Sequence, residues 1–445
     1  MPSVLRMGMA AVVAAILSLM SLTGSAEAAS LATLYNFCSL GAPCKDGYGP
    51  RAVLLMDQSG NFYGTLNEGG MYNHSAVYEL APNTAGAGWT YTVLHSFCPP
   101  GNNICVDGGA PFGRLVIDKS ENFYGTTSGG GTHGGGTVFK LSPNAARTVW
   151  TLTILYDFGS QPHDPTNSRA GLVMDSTGRL FGTSYGGGIY GQCTVFALTP
   201  PGGTGTAWTE KVIYSFGANG GTKDGGGPYA GLIMDKSGKL YGTTLTGGLH
   251  GYGTVFALTP PSGTQTAWTE EVLYDFCAQA KCADGAEPAA SLLMDGGRNL
   301  YGTTYRGGAS TIPLNEGTVF ELTPNVSQTT WKETVLYTFC SKSGCVDGGA
   351  PWAEVIMDGT GNLYGTTIDG GAHLAGALFK VTPPNLGKTL WSETVLYSFC
   401  TDAQGSACLD GQAPYAGLLM DKSGNLYGTT AAGGLHSEGT VFEYK

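Results

Sequence analysis

One short pattern recurs along this chain and limits what it can become. Trp391-Leu396-Phe399 spells Trp-x4-Leu-Tyr-x-Phe, and the same frame returns at Trp89-Leu94-Phe97, Trp150-Leu155-Phe158, Trp208-Ile213-Phe216, Trp268-Leu273-Phe276 and Trp331-Leu336-Phe339. A seventh copy, Leu34-Tyr35-Asn36-Phe37, lacks its Trp. The period is about 60 residues, the signature of a repeat architecture. Three further apolar runs fill each unit. In the fourth copy they are Ala230 to Asp235, Leu240 to Thr244 and Thr254 to Thr259. Each is short, rich in β-branched and aromatic residues, and bounded by Gly, Pro, Asp or Ser, which predicts strands separated by turns. No stretch sustains a 3.6-residue apolar period, so almost no helix is expected.

Four antiparallel strands per unit, repeated radially, make a propeller blade. The strands of each unit are termed a, b, c and d in chain order. The sequence opens on a lone d strand, Thr33 to Phe37, and finishes on a, b and c of the last copy, ending at Thr440 to Tyr444. Joining them completes the seventh blade and removes exposed sheet edges. The expected fold is therefore all-β: a seven-bladed propeller of four-stranded blades, spanning residues 29–445 and closed by its N-terminal strand. A monomer is expected.

Residues 1–28 read as a signal peptide, with Arg6, the uncharged run Met9 to Leu22 and the A-x-A site Ala26-Glu27-Ala28. No second apolar run follows, so no membrane span is expected once it is removed. Ten of eleven cysteines form close pairs: Cys38 with Cys44, Cys98 with Cys105, Cys277 with Cys282, Cys340 with Cys345 and Cys400 with Cys408. In an oxidising compartment such pairs become disulfides, and their gaps do not match zinc spacing. Cys193 is left over as a buried thiol. A net charge of −11 without a basic cluster argues against nucleic acid as a partner.

The run Gly424 to Thr430 (GNLYGTT), followed by Gly433 to Phe442 and combined with Trp391 to Phe399, resembles the GloVer-type tandem repeat of bacterial exported proteins. The resemblance covers essentially all of residues 29–445. It implies a secreted, periplasmic or cell-surface propeller and attaches no reaction to it. Members of that family often carry a C-terminal anchoring segment. None follows the last copy here, so an anchored state is not carried over.

Candidate sites are few. Asp57, Asp118, Asp175, Asp235, Asp295, Asp358 and Asp421 end the a strands, where an Asp bonds the amides of the following turn. Asp46, Asp107, Asp164, Asp224, Asp284, Asp347 and Asp410 lie between strands d and a. They read as turn formers, with calcium as the functional rival, although one Asp per loop supplies too few oxygens. His133, His250, His373 and His436 stand four residues before strand c, with His74 nearby. They could share a metal only by pointing at the axis, and capping of the blade surface is the expected role. Gly129, Gly131 and Gly134 match a dinucleotide motif by accident, since a strand follows rather than a helix. No cofactor or metal is expected.

One column breaks the repeat. Just before strand a stand Arg51, Phe112, Arg169, Tyr229, Ala289, Trp352 and Tyr415, each followed by Ala or Gly. Small residues suit the crowded innermost strand, so this column is expected to rim the central channel. Arg114 and Glu354, two positions on, also depart from the usual residues. Arg and aromatic side chains together suit a ligand site, here a glycan or another cell-envelope component. The leading expectation is an exported, non-catalytic scaffold. The alternative is a hydrolase or lyase acting on polysaccharide or peptidoglycan through Glu354 or a loop Asp with a neighbouring His. A purely structural envelope protein is a third.

Overall fold

The computed structural model describes residues 30–83, 88–101, 104–203, 205–309, 316–384, 390–404 and 407–445. The proposed signal peptide lies outside these residues. Seven antiparallel sheets, each with strand order a-b-c-d, form the ring. In the fourth blade the strands are Ile233–Met234, Leu240–Thr244, Thr254–Thr259 and Thr269–Asp275. Among the described residues the only helical turns are two 3-10 turns, Ala280–Cys282 and Ser343–Cys345.

The Leu-Tyr step of the repeat breaks the apolar alternation expected of a strand, and the pairing explains it. Val255 faces Tyr274 while Phe256 faces Val272, so Leu273 is an extra residue in strand d. Such a bulge re-aims a side chain and increases local twist. Leu273 and Phe276 consequently enter the core with Tyr241, Val255 and Ala257, against Leu292, Leu300, Phe320 and Leu322 of the next blade. The core is thus a set of blade-to-blade interfaces. Within each blade, the Gly of LYGTT makes room for a ring on strand c: a Cβ on Gly242 would lie 2.8 Å from Cζ of Phe256.

Strand a is shorter than the apolar run Ala230 to Asp235 suggests. Only Ile233 and Met234 pair with strand b. The residues before them face the next-door blade instead. Thr183 donates its hydroxyl hydrogen to the Ala230 carbonyl at 3.1 Å, and Thr243 does the same to Ala290 at 2.9 Å. Thr65, Thr126, Thr303 and Thr366 repeat the bond to Gly113, Ala170, Ala353 and Ala416. These hydroxyls hold the innermost segments around the axis.

The ring closes as the sequence predicts. Leu31–Asn36 pairs with Thr440–Tyr444, from Leu31 opposite Tyr444 to Asn36 opposite Thr440. The joint is built differently from the other six. Thr429, which occupies the hydroxyl position there, has no hydrogen-bond partner for its Oγ1 among the described residues. Phe37 is fully buried there, as Phe276 is at its own joint, and packs with Leu54, Phe62 and Tyr78 of the first blade and Val441 of the last. Tyr35 stacks on Tyr91 at 4.3 Å. An additional strand, Tyr48–Pro50, pairs with Phe62–Glu68 beside this joint.

Both Asp sets are structural. Asp235 accepts from the Ser237 and Lys239 amides at 2.8 and 3.0 Å, as expected of a turn. The d–a loop Asp residues do more than form a local turn. Asp224, fully buried, accepts from Tyr214 Oη at 2.6 Å and from the Gly217 amide at 3.0 Å. It reaches back to the end of strand d, because a buried carboxylate is retained only with donors around it. Asp46, Asp164, Asp284, Asp347 and Asp410 likewise accept from Tyr35, Tyr156, Tyr274, Tyr337 and Tyr397. Asp107 takes His95 in place of a Tyr.

Disulfides pin the same loops, in the pairing that the spacing predicts. Cys38 is bonded to Cys44, Cys98 to Cys105, Cys277 to Cys282, Cys340 to Cys345 and Cys400 to Cys408. Each small loop gains about 2 kcal/mol in the chain-entropy model. The loops of Asp164 and Asp224 have no such bond, and Cys193 is buried and free, with its sulfur accepting from the Gly227 amide at 3.3 Å.

The Glu of Trp-x-Glu joins these loop carboxylates from the neighbouring blade. Burial, and then the negative charge of Asp164 or Asp224, pushes Glu210 and Glu270 up to about 7. Burial, and then the charge of Asp284, pushes Glu333 up to about 8. Burial also raises Glu393, against the pull of the Lys342 ammonium 2.7 Å away.

Two expected outcomes follow from this architecture. Deleting residues 30–37 leaves the last blade with an open edge and an empty Phe37 site. Aggregation, or a melting temperature lowered by about 10 °C or more (on the order of 3–5 kcal/mol for a buried Phe alone), is expected by light scattering and calorimetry. A deletion variant that melts like the intact chain contradicts closure by this strand.

The second concerns pH. Unfolded Glu titrates near about 4.3, so native Glu210, Glu270 and Glu333 hold protons that the unfolded chain has released. Stability therefore falls as pH rises from there toward 7–8. Asp118, Asp175, Asp235, Asp358 and Asp421 behave oppositely: partial burial works against ionisation, but hydrogen bonds from turn groups outweigh it and hold them low. Their contribution is lost as pH falls below about 4. Thermal stability is expected to peak near about pH 5 and to decline by about pH 8, with Glu270→Gln narrowing that decline. A maximum at the alkaline end of this range contradicts the assignment.

Candidate functional site

Because the innermost segments are drawn toward the axis by the threonine hydroxyls, the residue before each small Ala or Gly faces the channel mouth. All seven members of the predicted column line one cavity there: Arg51, Phe112, Arg169, Tyr229, Ala289, Trp352 and Tyr415. The cavity has an outer bowl of about 330 Å³ and an inner part, the neck, lined by the residues that follow the column in each blade. Bowl and neck share Arg51, Arg169, Tyr229, Trp352 and Tyr415.

Trp352 organises the mouth. Its ring meets Tyr229 at 5.3 Å, Tyr305 at 5.0 Å and Tyr415 at 6.2 Å, all edge to face. Tyr229 belongs to the fourth blade and Trp352 to the sixth. The fifth blade contributes Ala289 at this position, which leaves room for the indole to cross. The two arginines extend the belt. The Arg51 guanidinium lies 4.8 Å over the Tyr415 ring. Arg169 sits over Phe112, Tyr185 and Tyr229 at 5.4 to 5.7 Å, with Nε donating to Asn167 Oδ1 at 3.0 Å. The result is an almost continuous band around the axis, Phe112–Arg169–Tyr229–Trp352–Tyr415–Arg51. The aromatic members are half-buried, each keeping part of its surface open.

The neck is shaped by the other two singled-out residues. Arg114 of the second blade and Glu354 of the sixth approach to 3.7 Å across the channel. Their arms pass over glycines: a Cβ on Gly171 would stand 2.8 Å from Arg114 Cγ, and one on Gly417 would stand 3.1 Å from Glu354 Cγ. Glu354 is the only carboxylate of the lining among the described residues. It therefore faces an arginine rather than the histidine or second carboxylate that an acid/base pair needs.

The histidines are elsewhere. His133 lies at a loop surface 3.4 Å from Asp157, and His74 is exposed beside the Cys98–Cys105 disulfide. None lines the mouth. His74 with Cys98 and Cys105 is the one grouping of potential metal donors among the described residues, and its two sulfurs are already bonded to each other.

A second column escaped the sequence reading. Tyr185, Leu245, Tyr305 and Ile368, the residues after GTT or GTS, line the outer bowl. The available signal was variation at one position inside an otherwise uniform run: Asn67, Ser128, Tyr185, Leu245, Tyr305, Ile368 and Ala431.

Comparison with solved structures gives distant likenesses. A putative oxidoreductase (glucose dehydrogenase) from Thermus thermophilus aligns at 14% identity over 94% of this chain and 100% of its own, with a TM-score of 0.43. A protein from Lactobacillus plantarum aligns at 14% identity over 77% and 83%, with a TM-score of 0.45. A glucose dehydrogenase aligns at 13% identity over 93% and 99%, with a TM-score of 0.38. No curated protein matches the sequence. The model of the Gloeobacter/Verrucomicrobia repeat matches residues 49–311 and 168–442, together most of the sequence. The blades described above are its repeats, and the chain belongs to the Gloeobacter/Verrucomicrobia repeat family.

Proposed function

We propose that this protein is an exported, non-catalytic propeller that binds a glycan or another cell-envelope component at the mouth of its channel. The observation that carries this is the belt around Trp352. Seven blades pose the same packing problem at the rim, and the core positions answer it with near-identical residues. The rim does not: its column places a Trp, two Tyr, a Phe and two Arg around one mouth, and Tyr185 and Tyr305 join them in the bowl. Ligand sites combine apolar walls with a few placed polar groups in this way, at volumes of roughly 300–1,000 Å³. Half-exposed rings offer the flat faces that sugar rings pack on.

The lining favours binding over hydrolysis. Glycosidases use two carboxylates on either side of the scissile bond, whereas this lining has Glu354 alone, paired with Arg114. Export is supported by the five disulfides, which persist in oxidising compartments. No helix among the described residues is long and apolar enough to cross a membrane.

A glycan array probed with the disulfide-bonded protein tests the proposal. Trp352→Ala is expected to weaken binding of any hit by about 1–3 kcal/mol, the scale of a buried aromatic face, with far-UV dichroism unchanged. Tyr252→Ala, on an exposed loop away from the bowl, is expected to leave binding intact. A folded Trp352→Ala variant with unchanged affinity places the binding surface elsewhere.

A further inference from the structure

The bowl is more positive than a chain of net charge −11 leads one to expect. The charged lining of bowl and neck together consists of Arg51, Arg114, Arg169 and Glu354. Arg114 and Glu354 offset each other across the neck. Arg51 and Arg169 have no carboxylate within 4.0 Å among the described residues. Of the arginines elsewhere, Arg147 meets Asp57 and Glu121, Arg179 meets Asp175 and Arg306 meets Glu287, while Arg298 donates to Gln328. Two cations without a counter-charge thus stand at one mouth, in a protein with acids to spare.

Arg169 is also pre-positioned. Its Nε is fixed by Asn167 and its plane by three rings, while its two terminal nitrogens have no acceptor among the described residues. A planar, immobilised fork with free donors matches a carboxylate better than a single-point acceptor, and little rotamer entropy remains to be lost on binding. No lysine lines the bowl or the neck. The neck adds a second constraint. The Arg114–Glu354 pair spans it at 3.7 Å. A polymer lying along the bowl would not fill it, and one threading the channel would have to break that ion pair. An end unit entering from the mouth does neither.

We infer that the mouth selects the terminal uronate unit of an acidic oligosaccharide. Its ring packs on Trp352 and the adjoining tyrosines, and its carboxylate is received by Arg169, with Arg51 adding a second cation. This rests on the mouth being the glycan site and adds the charge and the end-on mode to it.

The test uses the full disulfide-bonded chain and matched oligosaccharide pairs of the same linkage, differing only in a carboxylate or a hydroxymethyl group at C6. Gluco/glucurono, galacto/galacturono and manno/mannurono pairs cover the common stereochemistries, and titration calorimetry reads the affinities. At least one uronate member is expected to bind tenfold or more tightly than its neutral partner, roughly 1.4 kcal/mol. That preference is expected to shrink as ionic strength rises from about 0.05 to about 0.5 M. It should fall toward parity in Arg169→Gln and in the more exposed Arg51→Gln, so that a folding defect in one variant leaves the other to decide. Capping the non-reducing-end unit at O4 is expected to abolish binding, whereas lengthening the reducing end is not. Neutral members that bind as well as uronates overturn this inference and leave a glycan site at the mouth intact. Uronate preference unchanged in both arginine variants also overturns it. Binding by no member overturns the inference and the glycan site together.

Discussion

Everything at the axis depends on hydrogen bonds between the first residues of the ring and the last. Leu31–Asn36 supplies the fourth strand of a blade whose other three strands come from the opposite end of the sequence. An open arc of blades would have two unpaired edges and no enclosed channel, and the column before strand a would face solvent as seven unrelated side chains. Closure turns it into a circle. The threonine hydroxyls then set how tightly that circle is drawn, and the small residues they bind allow it. The cavity is therefore a product of two kinds of inter-blade contact, one at the seam and one repeated at the other joints.

The repeat also makes the mouth interpretable. Six blades answer the core problem with the same Phe on strand c, the same Gly opposite it and the same bulged Leu or Ile on strand d, and these choices say nothing about ligands. What differs from blade to blade is informative because it is unexplained by packing. Trp352 reaches Tyr229 only because Ala289 stands between them, and Arg114 reaches Glu354 only because Gly171 and Gly417 let their arms pass. Large and small residues are matched across the axis, so the irregularities form one coordinated set.

Much of this was legible in the sequence. Strand number, ring closure, the five disulfides and the rim column follow from period, alternation and spacing, which are properties of neighbouring residues. The extent of strand a did not follow, because Ala230 looks like part of a strand and bonds a threonine of the previous blade instead. The d–a loop aspartates looked like turn formers, and only the fold shows Asp224 beneath Tyr214 and beside Glu270 of the next blade. Tyr185 and Tyr305 went unnoticed because they sit within a run that otherwise reads as pure strand. The Arg114–Glu354 pairing was out of reach for a geometric reason. Which blades face each other across the axis depends on the diameter and blade offset of the closed ring, which no local pattern encodes.

The odd joint at Thr429 has a consequence for how the ring assembles. Six joints connect blades adjacent in the chain, each pinned by a hydroxyl bond across about 50 residues or fewer. At the seventh, Thr429 Oγ1 has no partner among the described residues, and closure relies on the pairing of Leu31–Asn36 with Thr440–Tyr444. Its contacts have a sequence separation near the maximum this chain allows, and contacts of that kind carry the largest loop-closure entropy and form slowly. The six local joints can form in any order as the blades condense. The last event is then the docking of one short strand into a nearly finished wheel. Until that moment an unpaired edge is exposed on the last blade, so the window for edge-to-edge association is set by the arrival time of six residues.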